Sequence, residues 1–453
     1  VSTVIGTLLG RLRRLSAARS VDARIARAAV VSGGLSAGVK GAAFAKEILV
    51  AAIFGVSQQL DAYLIALMLV GVPQGIIVNA VQWTLVPEFV NVELNRGRAP
   101  ARLLLRQVIS LALIAQLGLL VLGAALLPWL LPHLTAAFDD QGLVALRNGL
   151  LLLGLYYFAS GPLLIGYAIL QARHRFVANG AIPVITPVVI VVLLVLHPAA
   201  IAETLALGMA LGFVAELIVV QWMLTKEGLT LAPTRGPFDL IGRPFLRSVA
   251  KLSAATTALS LLLLVEQAAA ARIGVGAVST LGYAFKLPAL VAALAVVAIW
   301  TAVFPYFTEM LVRGQIEQCR ATLRRCAVWV CASGTALAAI LIVSSEPIVR
   351  LFFLRGAFSE RDAAAVTLAQ QAYLVQLPGA LLLALSLRLL LARGRSELVL
   401  ATYASQLALF VAAIMVGLAY ARSPAVIALA SSFAVTIAAA LAFLMADRSV
   451  RVS

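Results

Sequence analysis

Charge is scarce in this sequence. Only 12% of its 453 residues are Asp, Glu, Lys or Arg, about half the share that a soluble domain needs to dress its surface. A soluble enzyme fold is therefore excluded, because most of the surface must face something apolar. Acidic residues are scarcer than basic ones, 19 against 35, which leaves a formal net charge of +16. That excess sits in short clusters between apolar runs and forms no basic domain able to hold a duplex, so nucleic acid is not an expected partner. Cysteine is limited to Cys319, Cys326 and Cys331, in or beside one predicted helix and without CxxC or zinc spacing. Neither a disulfide framework nor a metal centre is expected from them. His133, His174 and His197 fall at the edges of apolar runs, too scattered to share a metal. No phosphate-cradling P-loop is present, so neither a nucleotide nor any other cofactor is expected.

What fills the chain instead is hydrophobic sequence, 62% of all residues. Apolar windows of about 20 residues suit membrane helices, whereas barrel strands would be about 10 residues long and strictly alternating. Such windows place spans near 28–55, 60–89, 103–132, 146–171, 177–197, 202–225, 247–271, 278–307, 325–345, 363–392, 396–420 and 424–446. Residues 1–27 carry Arg11, Arg13, Arg14, Arg19, Arg24 and Arg27 against Asp22 alone. They read as a basic interfacial segment held in the cytoplasm and not as a cleavable signal. Alternate loops then repeat the bias, with Arg96, Arg98 and Arg102, then Arg173 and Arg175, then Lys226, Arg235 and Arg243. Arg313, Arg320 and Arg324, then Arg393 and Arg395, then Arg448 and Arg451 continue it, while the intervening loops are poor in basic residues apart from the mixed stretch Arg350 to Arg361. The positive-inside rule fits twelve spans with both termini cytoplasmic.

The chain also repeats itself at an offset of about 220 residues. Glu47 stands eight residues before Gly55, and Glu266 eight before Gly274; each glycine leads into a helix ending in Trp83-Thr84 with Pro87, or in Trp300-Thr301 with Pro305. Gln171-Ala172-Arg173-His174-Arg175 likewise faces Leu391-Ala392-Arg393-Gly394-Arg395. Six spans per half is an even number, so both halves enter from the same side. The expected fold is an all-α polytopic membrane protein with two six-helix lobes, 28–225 and 247–446, related by a pseudo-two-fold axis along the membrane normal. A cytoplasmic linker, 226–246, joins them, and residues 447–453 form a cytoplasmic tail.

Ionisable groups inside spans are expensive, about 2.5–3.5 kcal/mol each on insertion scales, and need a partner or water. Lys40, about 12 residues into the first span, falls roughly 18 Å deep. Lys46 and Glu47 lie beyond it, Glu266 near the outer end of the seventh span, and Lys286 inward from the outer end of the eighth. Lys40, Lys46 and Lys286 are therefore candidates to line a central cavity and hold an anion together. Glu47, Asp61 and Glu266 are candidates for supporting ion pairs, although Lys46 could serve only as the partner of its neighbour Glu47. Glu216, mid-way along the sixth span, could pair with a lysine or carry a coupling proton.

The run Phe44-Ala45-Lys46-Glu47-Ile48-Leu49-Val50-Ala51-Ala52-Ile53-Phe54-Gly55, with Asp61-Ala62-Tyr63 after it, resembles the first-helix signature of the MurJ (MviN) lipid II flippases. These belong to the superfamily of multidrug, oligosaccharidyl-lipid and polysaccharide exporters. In that pattern, approximately GFxRDxxxAxxFGxxxxxDAF, Lys46 falls on the arginine, Glu47 on the aspartate, and Lys40 on a second functional arginine six residues earlier. Gly282-Tyr283-Ala284-Phe285-Lys286-Leu287 is similar to the family's YAxRL segment. Leu351-Phe352-Phe353-Leu354-Arg355-Gly356-Ala357-Phe358, with Asp362, is similar to its LFxRGxFxxxD segment. The chain departs from the pattern in three ways. Every matched cavity arginine is lysine, which keeps the charge but loses the two-pronged grip on phosphate. A charged stretch in the second span is replaced by Gly71-Val72-Pro73-Gln74-Gly75-Ile76-Ile77-Val78-Asn79, and the family's two further C-terminal spans are not matched.

The resemblance implies a bacterial inner-membrane flippase working by alternating access. Its partners would be membrane lipids and an undecaprenyl-diphosphate-linked saccharide, lipid II or a related envelope precursor, moved from inner to outer leaflet. The energy would come from membrane potential, an ion gradient or consumption of product. An exporter of exopolysaccharide or O-antigen precursors, or a multidrug or cation exporter of the same superfamily, is the alternative.

Overall fold

Hydrocarbon offers no partner to an unpaired backbone amide, so a chain this apolar satisfies its backbone inside helices. The computed structural model, which describes residues 21–173, 175–197, 202–393 and 395–451, contains helices and no strand among those residues. Arg11, Arg13, Arg14 and Arg19 of the basic segment, His174 and Gly394 lie outside the described residues, as do the side chains of Trp83 and Trp300. The first seven helices are α1 (Val21–Phe54), α2 (Gln58–Arg96), α3 (Arg98–Leu134), α4 (Asp140–Ala172), α5 (Phe176–Ala181), α6 (Ile185–Leu196) and α7 (Ala202–Lys226), with a 3-10 turn, Ile182–Val184, between α5 and α6. The second lobe contains α8 (Arg243–Ala271), α9 (Ala277–Val312), α10 (Ile316–Val343), α11 (Ser345–Phe353), α12 (Glu360–Leu374), α13 (Leu377–Ala392), α14 (Ser396–Tyr420) and α15 (Pro424–Arg451).

Helix starts follow local capping chemistry. Ser57 accepts the Leu60 amide at the head of α2, Asp139 accepts the Gly142 amide at the head of α4, and Ser359 and Asp362 form a reciprocal capping box on α12. Among the described residues, ten helices are long and apolar enough to cross a bilayer, and α12 with α13, bent by 42°, makes an eleventh. The expected first span corresponds to α1, which is 34 residues and about 51 Å long, with side chains described from Gly38 onward.

Pairings in the first lobe recur in the second. α2 packs on α4 as α9 packs on α12 and α13; α4 packs on α7 as α13 packs on α15. α6 packs on α7 as α14 packs on α15, and α1 rests on α6 as α8 rests on α14. The repeat read in the sequence is thus a repeat of packing.

The two ends of the bundle differ. At the end carrying Gly55, one apolar core joins both lobes, including Val50 and Phe54 of α1, Leu281 and Tyr283 of α9, Phe353 of α11 and Tyr373 of α12. At the opposite end, carrying Arg173, the cores are separate. One gathers Phe89, Leu104, Ile169 and Leu224 of the first lobe with Phe245 of α8, and the other gathers Phe307, Leu323, Leu390 and Ala442 of the second lobe. Among the described residues the lobes thus share one hydrophobic core at the Gly55 end, and at the Arg173 end their cores are separate except that α8 contributes Phe245 to that of the first lobe. The linker between α7 and α8 lies against the first lobe. Arg106 donates to the carbonyls of Ala232 and Pro233, Ser110 exchanges two hydrogen bonds with Thr234, and Gln107 Oε1 accepts the Leu240 amide at 3.2 Å.

Candidate functional site

On α1, Glu47 points toward α9, where its carboxylate is shared between two ammonium groups. Lys46 Nζ lies 2.6 Å from Glu47 Oε1 and Lys286 Nζ lies 3.1 Å from the same oxygen. Lys46 and Glu47 belong to one lobe and Lys286 to the other, so the cluster bridges the lobes and carries one net positive charge. All three line a cavity of about 80 Å³ together with Tyr63, Tyr283 and Ser279. Tyr63 and Tyr283, quoted above only within the family motifs, stand 220 residues apart at the same place in each half, a signal that could have marked them as site residues.

Lys40 is not in that cavity. It is exposed and stands seven residues before Glu47, which at 100° per residue returns it to the same face of α1, about 10.5 Å toward the Arg173 end. No ion pair or hydrogen bond engages it among the described residues.

Two of the three carboxylates expected in supporting ion pairs do something else. Asp61, 1% exposed, accepts the backbone amides of Gly276 at 2.6 Å and Ser279 at 2.7 Å. It caps α9 across the lobe boundary, where the free amides and partial positive charge of a helix N-terminus replace a cationic side chain. Glu266 accepts the Tyr373 hydroxyl at 2.5 Å inside the second lobe, again with no basic residue within ion-pair distance among the described residues. Glu216 pairs with no lysine there either. It accepts Thr186 Oγ1 at 2.6 Å and Tyr167 OH at 2.7 Å, within the first lobe.

Above the ion cluster the Gly55 end is sealed by backbone contact. Ala357 N–H donates to the Ala52 carbonyl at 2.8 Å and Tyr283 OH donates to the Gly55 carbonyl at 3.3 Å. Gly55 and Gly356 hold positive φ, +54° and +60°, and a Cβ on either would overlap the facing backbone, of Ala357 and Ala52 respectively. Phe44, Phe352, Phe353, Phe358 and Tyr283 fill the space beneath, with centroid separations of 5.1 Å for Phe44 to Phe352 and 5.5 Å for Tyr283 to Phe358. The stretch Leu351 to Phe358, noticed in the sequence only as a resemblance, forms much of this seal.

A family model described as lipid II flippase MurJ matches residues 50–453. The chain belongs to the lipid II flippase MurJ family. The match begins at Val50, just beyond Lys40, Lys46 and Glu47, and includes Asp61, Tyr63, Lys286 and the Leu351 to Phe358 seal. The resemblance read from sequence is borne out, and the chain is a multi-pass membrane protein of a lipid-transporting family. The fold is similar to a solved structure of "Lipid II flippase MurJ, inward closed conformation", at 20% identity over 93% of this chain and 91% of that one, with a TM-score of 0.75. It is also similar to a MATE family multidrug resistance transporter of the MOP superfamily in an inward-facing conformation, at 13% identity, 93% and 98% coverage, and a TM-score of 0.75. A MOP superfamily transporter from Pyrococcus furiosus gives 14% identity, 94% and 96% coverage, and 0.63.

Proposed function

We propose that this protein flips a polyprenyl-diphosphate-linked saccharide from the inner to the outer leaflet of the bacterial inner membrane by alternating access. The Arg173 end would face the cytoplasm, as its arginines favour. The observation that carries the reading is the Lys46–Glu47–Lys286 cluster, in which two lysines from different lobes converge on one carboxylate in a cavity sealed toward the Gly55 end. A diphosphate offers both ammonium groups charge-assisted hydrogen bonds and competes with Glu47 for them. Substrate binding would thereby release the Glu47–Lys286 bridge between the lobes. A cationic drug would meet net positive charge, which disfavours the multidrug alternative.

The spacing divides the three lysines. With Lys40 about 10.5 Å from Glu47 along α1, one diphosphate does not reach all three at once, so Lys40 would take the headgroup first and the cluster second. A cavity of about 80 Å³ is too small for a saccharide headgroup, and the lobes must separate further to admit it, while the polyprenyl tail stays in lipid. No cofactor enters this scheme. Each negative charge moved outward gains about 2.3 kcal/mol per 100 mV of inside-negative potential, so membrane potential is a sufficient source of drive.

Transfer of a fluorescent diphosphate-linked lipid across proteoliposomes tests the reading. One charge-assisted hydrogen bond is worth about 1.5–3 kcal/mol, so Lys46→Gln or Lys286→Gln should weaken headgroup binding roughly 10-fold to 100-fold, with arginine at either position retaining transfer. Wild-type rates in folded Lys40→Gln, Lys46→Gln and Lys286→Gln variants would overturn it.

A further inference from the structure

The first lobe holds a second carboxylate that the substrate cavity does not use. Glu216 sits mid-way along α7, 3% exposed. Its Oε1 accepts both the Thr186 hydroxyl at 2.6 Å and the Thr186 amide at 3.1 Å, while Oε2 accepts the Tyr167 hydroxyl at 2.7 Å. Thr186 is the second residue of α6, just past the point where the helix tightens into the Ile182–Val184 3-10 turn. Glu216 therefore holds this junction from a neighbouring helix. The seam is tight, since a Cβ on Gly212 would meet Thr186 Cα at 2.7 Å. α1, which carries the lysine cluster, rests on α5, on the turn and on α6.

The surroundings of this carboxylate suit two protonation states. Tyr167, from α4, is the titratable group that faces it, and neither α6 nor the turn brings another. α2, which also touches α7, brings Tyr63 and Asp61 at the level of the cavity beside Met209, two helical turns away. No Lys or Arg lies within ion-pair distance of it among the described residues. When ionised, the group has three donors. When a proton from water binds Oε2, the Tyr167 hydroxyl must turn its own O–H away from the carboxyl to accept it, while Oε1 keeps both Thr186 donors. The neutral state thus gives up the Tyr167 donation and keeps Thr186.

We propose that Glu216 is a proton-binding site, and that its occupancy sets how firmly the α5–α6 junction is held against α1, so that proton binding is coupled to lobe movement. A carboxylate grips Thr186 and Tyr167 through charge-assisted hydrogen bonds, and a carboxylic acid through weaker neutral ones. The neutral state is the looser one. The coupling half rests on the flippase reading, whereas the proton-binding half stands without it.

Two measurements on the full chain in lipid test the proposal. In acid-minus-neutral infrared difference spectra, wild type should show a protonated-carboxyl band that is lost in Glu216→Gln. In Thr186→Val, which removes one donor to the ionised form, the midpoint of that band should move up by about one to two pH units, while Thr186→Ser should leave it in place. In proteoliposomes, an imposed pH gradient should change the rate of fluorescent-lipid transfer in wild type and leave it unchanged in Glu216→Gln. A purely structural role would lower the rate equally at every pH and move no midpoint, and that result overturns the proposal. So does an infrared band that survives Glu216→Gln. If wild type transfers no lipid, the flippase reading fails while the infrared titration still decides the proton site.

Discussion

Substituting Gly356 by alanine should prise open the Gly55 end without touching any charged group. Two effects must be separated. Alanine at a φ of +60° costs about 1–2 kcal/mol in backbone strain wherever the lobes are. The added methyl also overlaps the Ala52 carbonyl, and this occurs only while the lobes are joined. Relieving it displaces the loop, at about 1–3 kcal/mol for an overpacked contact, and loosens the Ala357 to Ala52 hydrogen bond, worth about 0.5–1.5 kcal/mol. The joined state is therefore disfavoured by roughly 2–4 kcal/mol, which changes its equilibrium with the parted state about 30-fold to several hundred-fold. Gly314→Ala is the control, because Gly314 has a φ of +68° and open space around it, so it takes the strain and no clash. With Cys319, Cys326 and Cys331 replaced by serine, a Ser279→Cys reporter sits at a position that is fully buried behind the seal. Its maleimide labelling in detergent should rise at least 10-fold with Gly356→Ala and stay at the parent rate with Gly314→Ala. Equal labelling in all three backgrounds would refute the assignment of this end as a closed gate.

Other consequences are measurable. Glu47→Gln leaves two ammonium groups facing each other, so it should lower the melting temperature more in wild type than in a Lys286→Gln background; equal losses would mean that the bridge carries no coupling energy. Hydrogen bonds from the Gly142 amide and the Gln58 side chain hold the Asp139 carboxyl below its ordinary range. Its contribution to stability is therefore present above the unfolded carboxylate range and lost as pH falls through the folded value, and Asp139→Asn should flatten the acid limb of the melting profile. Single cysteines near Arg96, Arg173, Arg320 and Arg395 should resist an impermeant maleimide in intact spheroplasts, while those at Gln58, Asp139 and the exposed Val275 should react. Labelling near Arg96 from outside would reverse the orientation.

The spans were legible because hydropathy over 20 residues reports burial in lipid, and the predicted windows fall on the observed helices. The 3-10 turn at Ile182–Val184 and the bend between Leu374 and Leu377 were not, because an irregular apolar segment is as apolar as a regular one. At the site, lysine and glutamate inside a span announced themselves by their cost. Their partners did not. Lys286 meets Glu47 through tertiary packing, and Asp61 finds its donors at a helix N-terminus more than 200 residues away. Reading every buried carboxylate as half of an ion pair failed for Asp61 and Glu266, because backbone amides and tyrosine hydroxyls also satisfy a buried acid and leave no charge signature in sequence.

The strap formed by residues 227–242 makes the joint between the lobes a pivot and not a tether. Because Arg106, Gln107 and Ser110 pin it to α3, the first residue of α8 moves with the first lobe while the rest of that helix reaches toward the Gly55 end. α8 has 29 residues and is held to α2 again where Thr256 donates to the Ile76 carbonyl, so a swing of roughly 10° of the segment beyond that contact, about 22 Å long, would sweep its far end through about 4 Å. On the alternating-access reading proposed above, rotations at the linker would thereby be carried to the Gly55 end. Lengthening the strap with flexible residues would add slack at the fulcrum and weaken that transmission.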